Sequence, residues 1–330
     1  MKKINLNNKR ILYISQLYFF YDQVLIKKLE ELGATVDTFD LNVQSPYSKF
    51  ATKFKIADFE IYKKDYYNKV LLKKGFDLVL VRQGHQLKPE LYEILKIINP
   101  DAKFINFHWD SLKPEVGYNY EPLIKYFDKI YSFDYKDCAT HKEVSYLPLF
   151  YIDEYEAFRK NDTSNANYQY DILFVGSWRN RERYDLIKLT EKLAKQDQLE
   201  FYYYLYFSIN SQKELIKKGI IPRKSKSKLL STNEILQLFS ISNTIIDFPS
   251  SFQTGLTMRT FETLGAGKKL ITTNKNIVSE PFYNPEYINL IDTNNLKIDV
   301  DFIKNKPSTS ITEILKDYSL ESYIYKLLQN

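Results

Sequence analysis

One segment of the chain, Ser250–Asn274, reads SSFQTGLTMRTFETLGAGKKLITTN and holds three of the protein's nine glycines. Arg259 and Glu262 stand three residues apart in it, which places both side chains on one face of a helix. The start of such a helix presents unpaired N–H groups and the positive end of its dipole, which together attract an anion. An arginine there can bind a phosphate, and a glutamate can accept hydrogen bonds from a sugar diol. The same pattern also fits a glycine-capped structural helix with an ordinary surface Arg–Glu pair.

Two predicted strands flank this helix and determine where its first turn lies. Residues 243–248 (NTIIDF) and 269–273 (KLITT) are hydrophobic runs of the length typical of buried strands. We expect Gly255 to relieve the backbone before the helix, and Gly265 and Gly267 to end it, because glycine enters left-handed conformations at low cost. The helix therefore begins beyond the carboxyl end of a strand.

Buried strands separated by amphipathic helices recur along the chain, which predicts an α/β fold with parallel, doubly wound sheets. The predicted strands are 10–15, 35–39, 77–81, 103–108, 129–133, 171–175, 199–206, 243–248, 269–273 and 289–291. The predicted helices are 21–32, 89–98, 123–127, 183–195, 232–240 and one or two within 311–328. We expect two Rossmann-like domains, 1–150 and 169–310, joined by a polar linker at 151–168. Residues 311–330 are expected to form a C-terminal helix that packs towards the first domain.

Composition and charge exclude several classes of protein. The 330 residues are 44% hydrophobic and 27% charged, as in a globular protein, and the single Cys138 excludes an intrachain disulfide. The N-terminus lacks a long apolar core and no run approaches the roughly 20 apolar residues of a membrane span, so we expect a cytoplasmic protein. The basic stretch 213–228 fits a solvated loop, or contact with an anionic membrane or a phosphate-bearing substrate. No motif supports nucleic-acid binding.

Ligands of doubly wound sheets bind at the carboxyl ends of the strands, and this rule selects a second group of residues. Asp110 follows a predicted strand beside Trp109, whose ring face can carry a sugar. A carboxylate partly dried by aromatic rings can act as a general base, and His85 is the alternative base. Asp110 could equally cap a helix, and His85 could equally pack in a loop.

Five blocks of sequence resemble one group of enzymes. They are FHWDSL (107–112), FDKIYSFDYKD (127–137), LPLFY (147–151), DILFVGSWRNRERYDLI (171–187) and QTGLTMRTFETLGAGKKLITTN (253–274). They resemble bacterial surface-polysaccharide and lipopolysaccharide glycosyltransferases of the GT-B fold, a group distantly similar to the spore-protein CgeB type. The resemblance implies two Rossmann-like domains facing across a cleft. It also implies a nucleotide-sugar donor on the second domain and a glycan or lipid-linked glycan acceptor on the first.

The resemblance also implies roles for individual residues of the donor site. Glu262 would bind the donor ribose, the amides at 255–257 would approach the diphosphate, and Arg183 would neutralise it. Arg183 could instead belong to a solvated helix start with Arg179 and Arg181. The implied donor site comprises Gly176, Ser177, Arg183, Gln253, Thr254, Gly255, Leu256, Thr257, Arg259 and Glu262.

One departure from that group concerns the stereochemistry of the reaction. Retaining GT-B enzymes carry a second glutamate eight positions before the ribose-binding one, and this chain has Thr254 there, which favours an inverting mechanism. Asp299-Val300-Asp301 is a DxD string, but we interpret it as a strand end or helix cap, and no metal or other cofactor is expected. We therefore expect a glycosyltransferase extending a cell-surface glycan at the inner membrane face. A nucleotide-sugar epimerase and a non-catalytic binding protein for glycans or nucleotides remain alternatives.

Overall fold

The computed structural model describes residues 4–17, 20–41, 73–112, 120–161, 168–208, 227–250 and 252–329. The chain divides into two compact units. Unit 1 comprises residues 1–148 together with 320–330, and unit 2 comprises residues 149–319. Most of the basic stretch 213–228 lies outside the described residues. No helix of the described residues is long and apolar enough to cross a membrane.

Unit 1 is built on a parallel sheet with strand order β2-β1-β3-β4-β5-β6. Its strands are β1 (Arg10–Ser15), β2 (Thr35–Asp40), β3 (Leu78–Arg82), β4 (Lys103–His108), β5 (Lys129–Ser132) and β6 (Val144–Tyr146). Its first helices are α1 (Phe20–Glu31), α2 (Pro89–Ile98) and α3 (Tyr135–Thr140), with a 3-10 helix at Glu121–Tyr126. Ile14 aligns with Phe39 in β2 and Val81 in β3, and all three are fully buried. The apolar runs in the sequence become central strands because helices cover both faces of the sheet.

Unit 2 contains a second parallel sheet with strand order β11-β10-β9-β7-β8. Its strands are β7 (Tyr170–Ser177), β8 (Phe201–Tyr206), β9 (Ser242–Asp247), β10 (Lys269–Thr272) and β11 (Ile288–Leu290). Its helices are α4 (Asp153–Asn161), α5 (Arg181–Gln196), α6 (Thr232–Ser240), α7 (Met258–Gly265), α8 (Val300–Lys304) and α9 (Thr312–Leu315). The two parallel sheets confirm the predicted α/β class with two Rossmann-like halves.

The order of strands reverses at one point in each sheet. β1 lies between β2 and β3, and β7 lies between β8 and β9, so successive crossovers leave in opposite directions. A crevice opens outside the carboxyl ends of the strands at such a switch point, where ligands of this fold class bind. The residues that follow β3 and β4 in unit 1, and β7, β9 and β10 in unit 2, lie at these carboxyl ends.

The bounds of the predicted linker and of the predicted C-terminal helix differ from those of the observed chain. Part of residues 151–168 forms α4, which belongs to unit 2. Residues 311–319 also belong to unit 2, whereas the last helix, α10 (Leu320–Leu328), belongs to unit 1. Tyr323 of α10 accepts a hydrogen bond from Nε1 of Trp109 at 3.0 Å, and its ring meets Phe107 edge-on.

Of the three glycines around α7, Gly267 acts as predicted, whereas Gly255 and Gly265 do not. Only Gly267 has a positive φ, +73°, and it ends the helix. Gly255 and Gly265 have no positive φ. A Cβ at Gly265 would lie 2.5 Å from the ring of Tyr151, so a close approach excludes larger residues there. Asp299 accepts a hydrogen bond from the backbone N–H of Phe302 and caps α8, as the interpretation of the DxD string as a helix cap anticipated.

Candidate functional site

A cavity of about 250 Å³ lies at the carboxyl end of the unit 2 sheet. Its walls come from the segments that follow β7, β9 and β10, and from Thr293. The residues that line it are Asn180, Glu182, Arg183, Leu186, Pro249, Ser250, Gln253, Thr254, Thr273, Asn274, Lys275, Asn276 and Thr293. It therefore occupies the switch point of the sheet, as the carboxyl-end rule predicts.

The loop before α7 is held in place by two asparagines that follow β10. Nδ2 of Asn274 donates hydrogen bonds to the carbonyl oxygens of Thr254, at 3.1 Å, and Gly255, at 3.0 Å. Nδ2 of Asn276 donates to the same Thr254 oxygen at 2.9 Å, and Nε2 of Gln253 donates to Gly255 at 3.0 Å. The two carbonyl groups are thus turned towards β10. Asn274 and Asn276 were not among the predicted site residues, although Asn274 is the last residue of the segment Ser250–Asn274.

A buried carboxylate, Asp247, lies at the carboxyl end of β9 and fixes the start of α7. The hydroxyl of Thr257, the N-cap residue, donates a hydrogen bond to Oδ2 of Asp247, and the same oxygen atom of Thr257 accepts one from the N–H of Thr260. Burial raises the pKa of Asp247, whereas the Thr257 hydroxyl and the charges of Arg183 and Arg259 oppose that shift. Asp247 was missed because it was assigned to a hydrophobic strand, although it is the last residue of that strand.

Two arginines near Asp247 retain unused hydrogen-bonding capacity. Nη1 of Arg183 donates to the carbonyl of Ser177 at 3.3 Å. Within the described part of the chain, the buried Nε atoms of Arg183 and Arg259 have no hydrogen-bond partner. Burial lowers the pKa of Arg183, and Asp247 opposes that shift. Buried donors without a partner are uncommon in folded proteins, so these guanidinium groups are suited to binding an acceptor-rich ligand.

Glu262 and Arg259 lie on one face of α7, as predicted, but they form a buried pair and not a surface pair. Nη1 of Arg259 lies 2.6 Å from Oε2 of Glu262, and the Glu262 side chain is only 5% exposed. Burial raises the pKa of Glu262 to about 8, although the neighbouring guanidinium favours the ionised form. The Arg259 guanidinium also lies over the ring of Phe239 in α6, 5.5 Å from its centre.

Three of the ten predicted donor-site residues line the cavity: Arg183, Gln253 and Thr254. The other seven are not among the residues that line it. Gly176 and Ser177 end β7, Gly255 and Leu256 are buried, and Thr257 caps α7. Arg259 and Glu262 follow in α7, two and five residues after Thr257.

The carboxyl end of the unit 1 sheet carries Asp110, which is exposed. Partial drying of this carboxylate by aromatic rings, which the sequence suggested, is not observed, because the Nε1 of Trp109 donates to the Tyr323 hydroxyl. Oδ2 of Asp110 accepts a hydrogen bond from Nε2 of Gln83 at 2.8 Å. Gln83, which directly follows β3, was not among the predicted site residues.

The other residues predicted on the acceptor side are more enclosed than expected. Trp109 is half-buried, with its ring edge-on to Tyr21 and beneath the guanidinium of Arg82, 5.1 Å away. His85 is half-buried, and burial lowers its pKa. His108 is buried, and its Nε2 lies 2.6 Å from Oδ1 of Asn106. Burial, with the charges of His85 and Arg82, lowers the pKa of His108 to about 3.

Two buried aspartates next to α3 hold the loop that carries Asp110. Ser111 donates its hydroxyl to Oδ2 of Asp134 at 2.5 Å, and the N–H of Leu112 donates to Oδ2 of Asp137 at 2.9 Å. Both aspartates come from the block FDYKD quoted above. Among the described residues, no group of three or more His, Cys, Asp or Glu side chains has the geometry of a metal site.

Comparisons with known proteins identify the fold. No protein-family model matches the chain, and no curated protein sequence matches it significantly. An α-glucosyltransferase solved with UDP and a 13-mer DNA superposes with a TM-score of 0.55 at 13% identity, over 97% of this chain and 94% of that one. A candidate UDP-N-acetylglucosamine 2-epimerase from Listeria monocytogenes gives a TM-score of 0.51 at 9% identity, over 97% and 94% of the two chains.

The catalytic domain of starch synthase IV from Arabidopsis thaliana, bound to ADP and acarbose, gives a TM-score of 0.50 at 9% identity. The superposition covers 98% of this chain and 96% of that one. At these identities the likeness concerns the fold alone. The fold is that of the GT-B glycosyltransferases and epimerases.

Proposed function

We propose that the protein is a glycosyltransferase that moves a sugar from a nucleotide-sugar donor to a growing cell-surface polysaccharide or lipooligosaccharide. The observation that carries this proposal is the cavity at the switch point of unit 2, with Arg183 in its wall. Two solved neighbours of the same fold contain UDP and ADP. By analogy, we assign a nucleoside diphosphate to the cavity of this chain.

The charges around the cavity support an anionic ligand. Two guanidinium groups, those of Arg183 and Arg259, act on one carboxylate, Asp247. The lining itself carries two cationic side chains, Arg183 and Lys275, and one carboxylate, Glu182. Cationic groups in the wall stabilise the charge of a departing diphosphate when no metal neutralises it. We assign the diphosphate to Arg183, and we keep the contacts of the backbone amides at 255–257 and the ribose contact of Glu262 as predictions.

The acceptor side of the reaction is assigned to unit 1. Inverting transfer needs a general base that takes the proton of the acceptor hydroxyl, and Asp110 is the first candidate because its carboxylate is exposed. His85 is the second, since a lowered pKa leaves its ring neutral and able to accept a proton at pH 7. Asp110→Asn and His85→Gln separate the two, because only the variant of the true base loses transfer at every pH.

Transfer itself is the test of this function. A thermal-shift screen of UDP-, ADP-, GDP- and dTDP-sugars first selects the donor, because a ligand of the native state raises the melting temperature. The selected donor, labelled in its sugar, is then incubated with membrane glycan extracts. We expect label in the glycan fraction and an inverted anomeric centre in the product. Failure of every donor to stabilise the protein would contradict the proposal.

An epimerase is the second candidate, because a structure of the same fold is assigned to UDP-N-acetylglucosamine 2-epimerisation. An epimerase converts its free sugar nucleotide without any acceptor. Proton NMR of UDP-N-acetylglucosamine incubated with the protein alone distinguishes the two. New resonances of a 2-epimer would support epimerisation, and an unchanged spectrum together with transfer to glycan would exclude it.

The basic stretch 213–228 supports a second proposal about location, namely that the protein works against the inner face of the membrane. Clustered lysines bind anionic lipid headgroups, each with about 1 kcal/mol. Co-sedimentation with vesicles tests this. We expect binding to vesicles that contain phosphatidylglycerol and none to pure phosphatidylcholine, and equal binding to both would contradict it.

A further inference from the structure

Gln83, the first residue after β3, is held in a strained conformation. Its φ is +64°, in the left-handed region that non-glycine residues rarely enter. The residue is buried, with only 5% of its surface exposed. Such a conformation costs on the order of 1 to 3 kcal/mol and persists only where the surroundings enforce it. Strain of this kind concentrates at functional sites, so the surroundings of Gln83 are informative.

The amide of Gln83 lies between a cation and an anion. Its Nε2 donates to Oδ2 of Asp110 at 2.8 Å, and its Oε1 lies 3.5 Å from Nη1 of Arg82. A guanidinium only donates and a carboxylate only accepts, so the orientation of the amide is determined by its two neighbours. A glutamate or an apolar residue at this position could not serve both of them.

Arg82 in turn is fixed by a buried carboxylate. Its Nε and Nη2 donate to the two oxygens of Asp22 at 2.7 and 2.9 Å, and Asp22 is fully buried in α1. Tyr13 and Ser15 of β1 also donate to Oδ1 of Asp22. The side chains from Asp22 to Gln83 therefore form one continuous polar chain that ends at an exposed carboxylate.

The backbone on either side of Gln83 is equally restrained. Its N–H donates to the carbonyl of Phe107 at 2.9 Å, and its own carbonyl accepts from Nδ2 of Asn106 at 3.0 Å. The loop that carries Asp110 is held by hydrogen bonds from Ser111 to Asp134 and from Leu112 to Asp137. Both members of the Gln83–Asp110 hydrogen bond are thus placed by separate parts of unit 1.

We propose that Gln83 is a positioning residue that holds Oδ2 of Asp110, so that Oδ1 receives the proton of the acceptor hydroxyl. This inference rests on the proposed glycosyl transfer. In that step the acceptor O–H proton passes to Oδ1 as the acceptor oxygen bonds to the anomeric carbon. The bond from that carbon to the diphosphate breaks, and the diphosphate leaves with its electron pair.

Two substitutions of Gln83 test the proposal, with release of nucleoside diphosphate from the selected sugar nucleotide as the assay and water as the acceptor. Gln83→Met keeps the length but removes the amide. Gln83→Asn keeps the amide and tolerates a positive φ, but it is one methylene too short to reach Asp110. We expect kcat to fall about 10- to 100-fold in both, with the donor KM within about twofold of wild type.

Gln198 offers a matched control, because it is a second glutamine with a positive φ, +57°, and it is exposed in unit 2. Gln198→Asn should leave kcat unchanged. The melting temperatures of both Gln83 variants are measured beside the kinetics, and both variants should remain folded at the assay temperature, which separates lost positioning from lost folding.

A double-mutant cycle distinguishes a positioning role of Gln83 from a merely structural one. Asp110→Asn alone should lower kcat by about 1,000-fold, and adding Gln83→Met should lower it no further, because the base that Gln83 holds is already absent. Independent, multiplicative effects would overturn the proposal, as would a kcat within twofold of wild type in both Gln83 variants. If wild type bound and turned over no sugar nucleotide, the proposed function itself would fall, and the role of Gln83 with it.

Discussion

Replacing the side-chain nitrogen of Asn274 with an oxygen should lower the stability of unit 2 strongly. Asn274→Asp keeps the shape of the side chain but replaces the N–H₂ group that donates to Thr254 and Gly255 with an oxygen. Two hydrogen bonds are lost at about 1 kcal/mol each, and repulsion between the buried carboxylate and two carbonyl oxygens adds about 1 kcal/mol more. We expect the free energy of unfolding to fall by about 3 kcal/mol at pH 7.

The pH dependence of this loss makes the prediction specific. Burial and the two carbonyl oxygens raise the folded-state pKa of the introduced carboxyl above its unfolded value, so the loss is largest at high pH. As pH falls, protonation restores a donor, and the loss at pH 4.5 should shrink to about 1 kcal/mol. Asn276→Asp, which removes one hydrogen bond at a less buried site, should cost about 1 kcal/mol.

Urea unfolding followed by tryptophan fluorescence, at pH 7 and pH 4.5, measures these differences against wild type at each pH. The reasoning would be refuted by a loss below 1 kcal/mol for Asn274→Asp at pH 7. It would also be refuted by a loss of the same size at both pH values. Asn274→Leu removes the same donor without adding a charge, so its loss should not depend on pH.

Three further predictions concern buried charges. Asp22→Asn leaves a buried guanidinium without its counter-ion and should cost about 3 to 5 kcal/mol in urea unfolding. Lys269→Met removes the ammonium that donates to three carbonyl groups at the end of α8, and it should lower the free energy of unfolding by about 2 kcal/mol. Its control, Lys304→Met, changes an exposed lysine and should lower that free energy by less than about 0.5 kcal/mol. Burial raises the folded-state pKa of Glu262 to about 8, so the free energy of unfolding should fall by up to about 5 kcal/mol between pH 4.5 and pH 8 as this group ionises. Glu262→Gln should remove this contribution to the pH dependence of stability. The same variant should weaken nucleotide binding if Glu262 contacts the ribose.

Much of the fold follows from local sequence. The strands Arg10–Ser15 and Lys103–His108 and the helices Pro89–Ile98 and Thr232–Ser240 have the predicted bounds, because their apolar runs are closed by clear end signals. Pro89 begins one helix, and Ser231 with Glu234 forms a capping box at the other. Several elements were missed, among them α3 and β6, because a six-residue helix or a three-residue edge strand shows little periodicity.

The candidate site was predictable to the level of its neighbourhood. The carboxyl-end rule led to the segments after β3, β4, β7 and β9, but it selected His85 where Gln83 makes the hydrogen bond to Asp110. Glutamine is not a residue type that favours the left-handed conformation. Nothing in the sequence therefore indicated that the Gln83 side chain would reach Asp110. Likewise, the spacing of Arg259 and Glu262 placed them on one face, yet their burial depends on how α7 packs against its neighbours, and only the structure shows that.

The most direct test of the account is a calorimetric titration of UDP, ADP and GDP into wild type, Arg183→Met and Arg181→Met. Arg181 is the matched control, because it lies on the same helix but is 62% exposed and paired with Asp185. The account predicts that wild type and Arg181→Met bind one of the nucleotides with equal affinity. Arg183→Met should bind it about 10- to 100-fold more weakly, the equivalent of one charge-assisted contact to phosphate. Equal affinity in Arg183→Met and wild type, or no binding of any nucleotide to wild type, would contradict the account.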